Sequence, residues 1–206
     1  MDKAELTKLL HKNYHVMAKN SFAENGFKWF KTNDYIRVTD DDIVQWINIQ
    51  KHSWDTKFTY NIAVFPLFIE SDFMYFAFGG IRIGHFEHGC DFWQDYSSET
   101  DMSNSLSISL KLIQDKVFPF FDTINSSVKL LKYLQSPNSL FEDYKHMPTN
   151  YNKETGLLYL RSGDSEAAYK SLDAKTISDI KNCDTENIYL NNIIKKNYEQ
   201  FKIKGK

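Results

Sequence analysis

Cysteine, proline and glycine are all scarce in this chain of 206 residues, which holds two, four and eight of them. The two cysteines, Cys90 and Cys183, lie far apart without a C-x-x-C spacing, so a disulfide framework is not expected and a reducing cytosol is the simpler setting. With so little glycine and proline, and 42% apolar residues, a low-complexity or disordered chain is excluded. Charge of one sign is also missing. The formal net charge of −2 lacks the basic excess that marks a general nucleic-acid binder. Long hydrophobic runs are absent too: Ala63 to Ile69, and Met74 to Phe78 continuing to Ile81, fall far short of the roughly 20 residues that span a bilayer. No membrane partner is expected. Met1 to Leu10 mixes charged and apolar residues and does not read as a secretory leader.

What the chain does have is aromatic side chains, 16% of all residues. A chain of this length buries about 70% of its unfolded surface as one large domain or two closely packed halves, with no need of a metal or disulfide staple. The expectation is one compact domain over 1–206, sheet-rich over about 1–100 and helical over about 101–206.

Local patterns give the order of elements. Leu6, Leu9, Leu10, Tyr14, Met17 and Phe22 recur at helical spacing from Ala4 to Phe22, and Asn25-Gly26 supplies a stop. From Phe27 to Ile83, aromatic and β-branched runs are broken by the polar clusters Thr32-Asn33-Asp34, Thr39 to Asp42 and His52 to Thr56. Strands are predicted near 27–31, 35–38, 43–51, 57–65 and 75–84, with short connections that favour antiparallel pairing and Pro66 ending the fourth. Residues 85–103 read as a long loop. Helices follow: one through Leu106, Leu110, Ile113 and Val117 ending at Pro119, one over about 126–135 with Val128, Leu131 and Leu134 on one face, two short ones flanking Gly163, and a last one over about 185–201. An amino-terminal helix, an antiparallel sheet of about five strands and a carboxy-terminal helical half make an α+β fold.

Strand parity points to one polar face. Ile43, Gln45, Ile47 and Ile49 share a side of the third strand opposite Val44, Trp46, Asn48 and Gln50. If the apolar faces pair, as register demands, Trp46, Asn48, Gln50, Thr59 and Asn61 gather on the second face and Arg82 joins them. Amides, a hydroxyl, a guanidinium and an indole on one surface suit a peptide, a carboxylate or a polar ring. The same alternation is also what an ordinary solvated sheet face, or a polar network beneath helices, looks like.

Other constellations are weaker. His85, His88, Cys90 and Asp91 are metal-ligating types within seven residues, but H-x-x-H-x-C-D has no second ligand pair and reads as a polar loop. His11 and His15 share a helix face, yet Lys12 stands where a metalloprotease needs glutamate, so they read as boundary histidines. Asp40 to Asp42 cannot converge on one ion like spaced calcium-loop ligands and read as a solvated turn. Ser162 to Ser165 is a helix stop followed by an N-cap. The lysines at 195, 196, 202, 204 and 206 read as a solvated tail. No nucleophile elbow, zinc-protease or dinucleotide-binding pattern occurs, so neither catalytic residue, metal nor cofactor is assigned.

Several ordered motifs carry a resemblance: Phe22-Ala23-Glu24-Asn25-Gly26-Phe27-Lys28, Val44 to Trp54, Lys57 to Val64, Ile81-Arg82-Ile83-Gly84 and Asp91-Phe92-Trp93. Over roughly residues 1–135 the chain resembles the bacterial domain-of-unknown-function family 4304. In that family "GF" follows the first helix, an "INFQKS" strand pairs with an "FTVNLG" strand, and "RIG" precedes a tryptophan. Here Ile49 replaces the aromatic, His52 is inserted between lysine and serine, and Ala63 replaces glycine. The resemblance implies a bacterial, cytoplasmic α+β domain with no established activity, whose motif residues map onto Asn48, Gln50, Asn61, Arg82 and Trp93. Two functions follow. One is a non-enzymatic domain binding a protein or a small polar ligand, of accessory or immunity type, through Trp46, Asn48, Gln50, Thr59, Asn61, Arg82 and Trp93. The other is an enzyme using the Asn48, Gln50, Asn61 and Arg82 face with His85 or His88 as acid/base.

Overall fold

The computed structural model describes residues 1–31, 33–70, 80–137, 139–140 and 148–204. Helix α1 (Lys3–Glu24) starts on a capping box, in which the Asp2 carboxylate accepts from the Glu5 N–H and the Glu5 side chain accepts from the Asp2 N–H. It ends where Gly26 takes φ +78, a left-handed conformation that favours glycine. Strands β1 (Lys28–Lys31), β2 (Asp34–Val38), β3 (Ile43–Lys51), β4 (Lys57–Pro66) and β5 (Ile81–Arg82) follow in order, and the sheet keeps that order. Pro66 is the last residue of β4, where a missing N–H does no harm. The fold is α+β, as the patterns predict.

Some elements differ from their sequence reading. Of the fifth strand expected over 75–84, residues 75–79 lie outside the described residues, and at Ile83 the chain turns into a short 3-10 helix. The loop expected over 85–103 contains β6 (Gln94–Asp95), which pairs with the start of β4, and the beginning of α2 (Glu99–Leu112), capped by Ser98. Pro119 does not end the helix. A π-helical stretch, Ile113–Val117, precedes α3 (Phe118–Thr123), and the wider turn accommodates a proline that has no N–H to give and would crowd an α-helical carbonyl. Helix α4 (Ser127–Leu134) buries Leu131 and Leu134 as expected, together with Ser127 and Leu130, while Val128, expected on the same face, is exposed. After α5 (Pro148–Arg161) and α6 (Ser165–Ser171), α7 (Ala174–Lys181) was not anticipated, although Asp173 caps it; α8 (Glu186–Lys204) ends the described chain.

The chain divides into two compact units of interleaved segments. The first comprises Met1–Arg37, Gln45–Ala63 and Gly80–Asp122. Its core is aromatic: Tyr14 meets Phe22, Tyr35 and Tyr60 edge-on, and Phe22 and Phe27 pack on Phe118. Each such pair adds about 0.5–1.5 kcal/mol to what burial alone contributes. Gln45, on the isoleucine face, is fully buried but satisfied, donating to the Phe121 carbonyl and accepting from Arg37.

The second unit comprises the described parts of Val38–Val44, Val64–Gly79 and Thr123–Lys206. Here Asp41 and Asp42 are not a merely solvated turn. Arg161 Nε donates to Asp41 Oδ1 at 3.1 Å, Arg161 Nη2 to Asp42 Oδ2 at 2.9 Å, and Asp41 also accepts from the Ser127 N–H. Asp42 takes φ 58, which aspartate tolerates better than most residues. Asn197 donates to the carbonyls of Leu67 and Ile69. No described helix is long and apolar enough to cross a membrane.

Candidate functional site

On the first unit's sheet, the backbone bond from His52 N–H to Lys57 C=O sets the hairpin register. That register puts Asn48 opposite Asn61 and Gln50 opposite Thr59, and the β4–β5 ladder puts Arg82 opposite Asn61. Residues directly opposite share a face, so the polar side chains expected on one surface do meet there.

Their contacts run outward from Asp34, a residue the sequence reading left in a turn cluster. Asp34 begins β2, is 5% exposed, and its Oδ1 accepts from Trp46 Nε1–H at 3.1 Å and from Asn48 Nδ2–H at 2.6 Å. Asn61 Nδ2 then donates to Asn48 Oδ1 at 3.2 Å and to Gln50 Oε1 at 2.9 Å. Trp46, Asn48, Gln50 and Asn61 are half-buried. Thr59 belongs to the face by register, but it is fully buried and its hydroxyl has no partner among the described residues. No residue pattern singles Asp34 out, because its partners lie on the next strand, 12 and 14 positions away.

A second group sits beside this ladder. Arg82 donates to Asp91, whose other oxygen lies 3.1 Å from His85 Nε2. The Arg82 guanidinium also lies over the Trp93 ring, 5.0 Å from its centre, and His52 meets the same ring edge-on at 5.0 Å. Gly84 holds the group in place: a Cβ there would come within 2.6 Å of the Phe92 amide nitrogen, so only glycine lets the 3-10 turn lie against the 90–92 segment. Trp54, at the hairpin tip, is 86% exposed, in a turn where His52 Nδ1 accepts from the Trp54 and Asp55 N–H groups.

The family described as a domain of unknown function, DUF4304, matches residues 18–123. The chain belongs to the DUF4304 family. Among curated proteins and among solved structures, no match to the chain is found. The DUF4304 stretch contains every residue of the ladder, together with Arg82, His85, Asp91 and Trp93.

The remaining candidates do not assemble. Among the described residues no three histidine, cysteine, aspartate or glutamate side chains form a metal-holding group. His85 turns to Asp91, His88 lies against Phe92, and Cys90 is exposed. His15 is not simply solvated: Nδ1 lies 2.8 Å from the Tyr35 hydroxyl and the ring 4.2 Å from that of Trp29. His11 Nδ1 is buried without a partner among the described residues, and burial, with Lys51 nearby, holds its pKa below the usual histidine value. In the second unit, a shallow cleft of about 370 Å³ is lined by Thr123, Lys129, Lys132, Tyr133 and Ser136 and contains none of the ladder residues.

Proposed function

We propose that this DUF4304 protein is a non-enzymatic binding domain of accessory or immunity type in a bacterial cytoplasm, which takes a protein or small polar ligand on its polar sheet face. Trp46, Asn48, Gln50, Asn61, Arg82 and Trp93 make the surface, with Thr59 beneath it. One observation carries this reading: half-exposed amides are fixed in orientation by hydrogen bonds to one another and to a buried carboxylate, on strands rather than loops. Fixing the polar groups in advance lowers the ordering cost of binding. Trp and Arg, the residue types enriched in interfaces, flank the amides at Trp93, Trp54 and Arg82.

The test is cross-linked capture from the native host with wild type and with Asn61→Ala/Arg82→Ala. A partner retained by the wild type and lost by the folded double variant is expected. Equal capture by both removes this face from the function.

A second reading rests on the contact between His85 Nε2 and Asp91 Oδ1. A carboxylate that accepts from Nε2–H leaves Nδ1 as a base, so the same surface would serve an enzyme moving a proton at His85. Turnover of any substrate in an ester, amide and phosphoester panel, abolished by His85→Ala, would favour it over the binding reading.

A further inference from the structure

We infer that the polar face is built for a neutral peptide backbone, specifically the N–H and C=O of one residue in an extended peptide, bound by the Gln50 side-chain NH2 as donor and the Asn61 side-chain carbonyl as acceptor. This rests on the binding reading above and narrows its ligand. The argument is one of hydrogen-bond polarity. Trp46 Nε1 can only donate, so Asp34 Oδ1 is an acceptor, and the Asn48 group that meets the same oxygen must be its NH2. Asn48 therefore turns its carbonyl to β4. Asn61 answers with its NH2 and spends both hydrogens, one on Asn48 and one on Gln50. Two groups are left over by this sequence of constraints: Asn61 Oδ1, an acceptor, and Gln50 Nε2, a donor. Both belong to half-exposed residues, and neither has a partner among the described residues.

Charge narrows the ligand further. Arg82 is the cation of this face, and Asp91 already neutralises it, while Asp34 adds a negative charge beneath the amides. Among the described residues of this face, a carboxylate ligand would find no free counter-charge. A planar ring would want a stacking platform beside the amides; Trp93 already carries Arg82 over its ring, and the exposed Trp54 stands out at the hairpin tip. One residue of an extended peptide fits without either: its C=O accepts from Gln50 Nε2–H and its N–H, which in a strand points to the same side, donates to Asn61 Oδ1.

The experiment is a titration of the full chain, labelled with 15N, followed at the side-chain amide resonances of Gln50 and Asn61. The probes are N-acetyl-Ala-Ala-Ala-amide and acetate. The blocked peptide should shift both resonances saturably and acetate neither. Gln50→Glu still offers Asn61 an acceptor but removes the outward donor, and it should weaken peptide binding about tenfold, the equivalent of one hydrogen bond of about 1.4 kcal/mol. Shifts with acetate and none with the peptide would overturn the ligand class while leaving binding at this face intact. No shift with either probe would also overturn the inference, and partner capture that ignores Asn61→Ala/Arg82→Ala would then remove the binding reading with it. Unchanged affinity in Gln50→Glu would show that the donor is not used and would overturn the assignment.

Discussion

Asp34 in one unit and the Asp41-Asp42 pair in the other are all withdrawn from water to some degree, but they are answered by different partners. Asp34 accepts from an indole and a carboxamide, both neutral, and the polarity it imposes passes along Asn48 and Asn61 until a donor and an acceptor are left at the surface. Asp41 and Asp42 are answered by one guanidinium, and a helix N–H is spent on Asp41 as well. The second arrangement closes on itself. An ion pair satisfied from both sides fixes a turn against a helix, whereas a carboxylate that orients neutral amides leaves hydrogen-bonding capacity for something else. The difference separates scaffold from candidate site without reference to any ligand.

A third carboxyl sharpens the contrast. Glu154 on α5 is 8% exposed, its Oε2 has no partner among the described residues, and burial pushes its pKa up to about 8. With the native value raised above the ordinary 4.5, the folded chain holds this proton more tightly than the unfolded chain does. Its contribution to stability is therefore full below about pH 4.5 and is lost as the pH rises through about 8. Unfolding free energies from denaturant titrations should fall between pH 5 and 9 by an amount on the order of a few kcal/mol, the largest effect expected, and Glu154→Gln should flatten that slope. A slope unchanged in the variant would mean that Glu154 is not the carboxyl left without a counterpart.

Next in size is Arg161→Met. Removing the cation strands two carboxylates, and since roughly a quarter of each side chain is exposed the loss should be about 2–3 kcal/mol, below the 3–5 of fully buried pairs. Burial already raises the Asp42 pKa and Arg161 works against it, so the variant should lose more stability at neutral pH than at pH 4. A loss under about 0.5 kcal/mol, the size of an exposed pair, would erase the distinction drawn between the two networks.

The smallest effect belongs to the candidate site. Asn61→Ala frees two carbonyls, Asn48 Oδ1 and Gln50 Oε1, on half-exposed residues that water can reach, so thermal unfolding should register a cost of about 1 kcal/mol or less. A much larger loss would make the ladder a structural element like the Arg161 turn and would weaken the case for a binding surface.

How much of this was legible in the chain depends on the range of the interaction. Helix α1, the first four strands, Pro66 at a strand end and the Ser126-capped helix follow from periodicity and capping within a few residues. Helix α7 was legible too, through Asp173 and the Ile177/Ile180 spacing, but its short apolar repeat was not read as a helix. The passage through Pro119 was not, because a π-helical turn that relieves a proline has no composition of its own. Parity placed Trp46, Asn48, Gln50, Thr59 and Asn61 on one face, and the hairpin register agrees; it said nothing of Thr59 being buried or of Asp34 lying beside them.

By itself, then, the sequence determined the α+β order, the DUF4304 membership and which side of each strand a residue takes, since all three are written in neighbours along the chain. Only the tertiary structure decided which carboxylate answers which donor. Asp34 finds Asn48 on the neighbouring strand, and Arg161 finds Asp41 from 120 positions away; the hydrogen-bond polarity of the face exists only once those groups have been brought within 3 Å or so of one another.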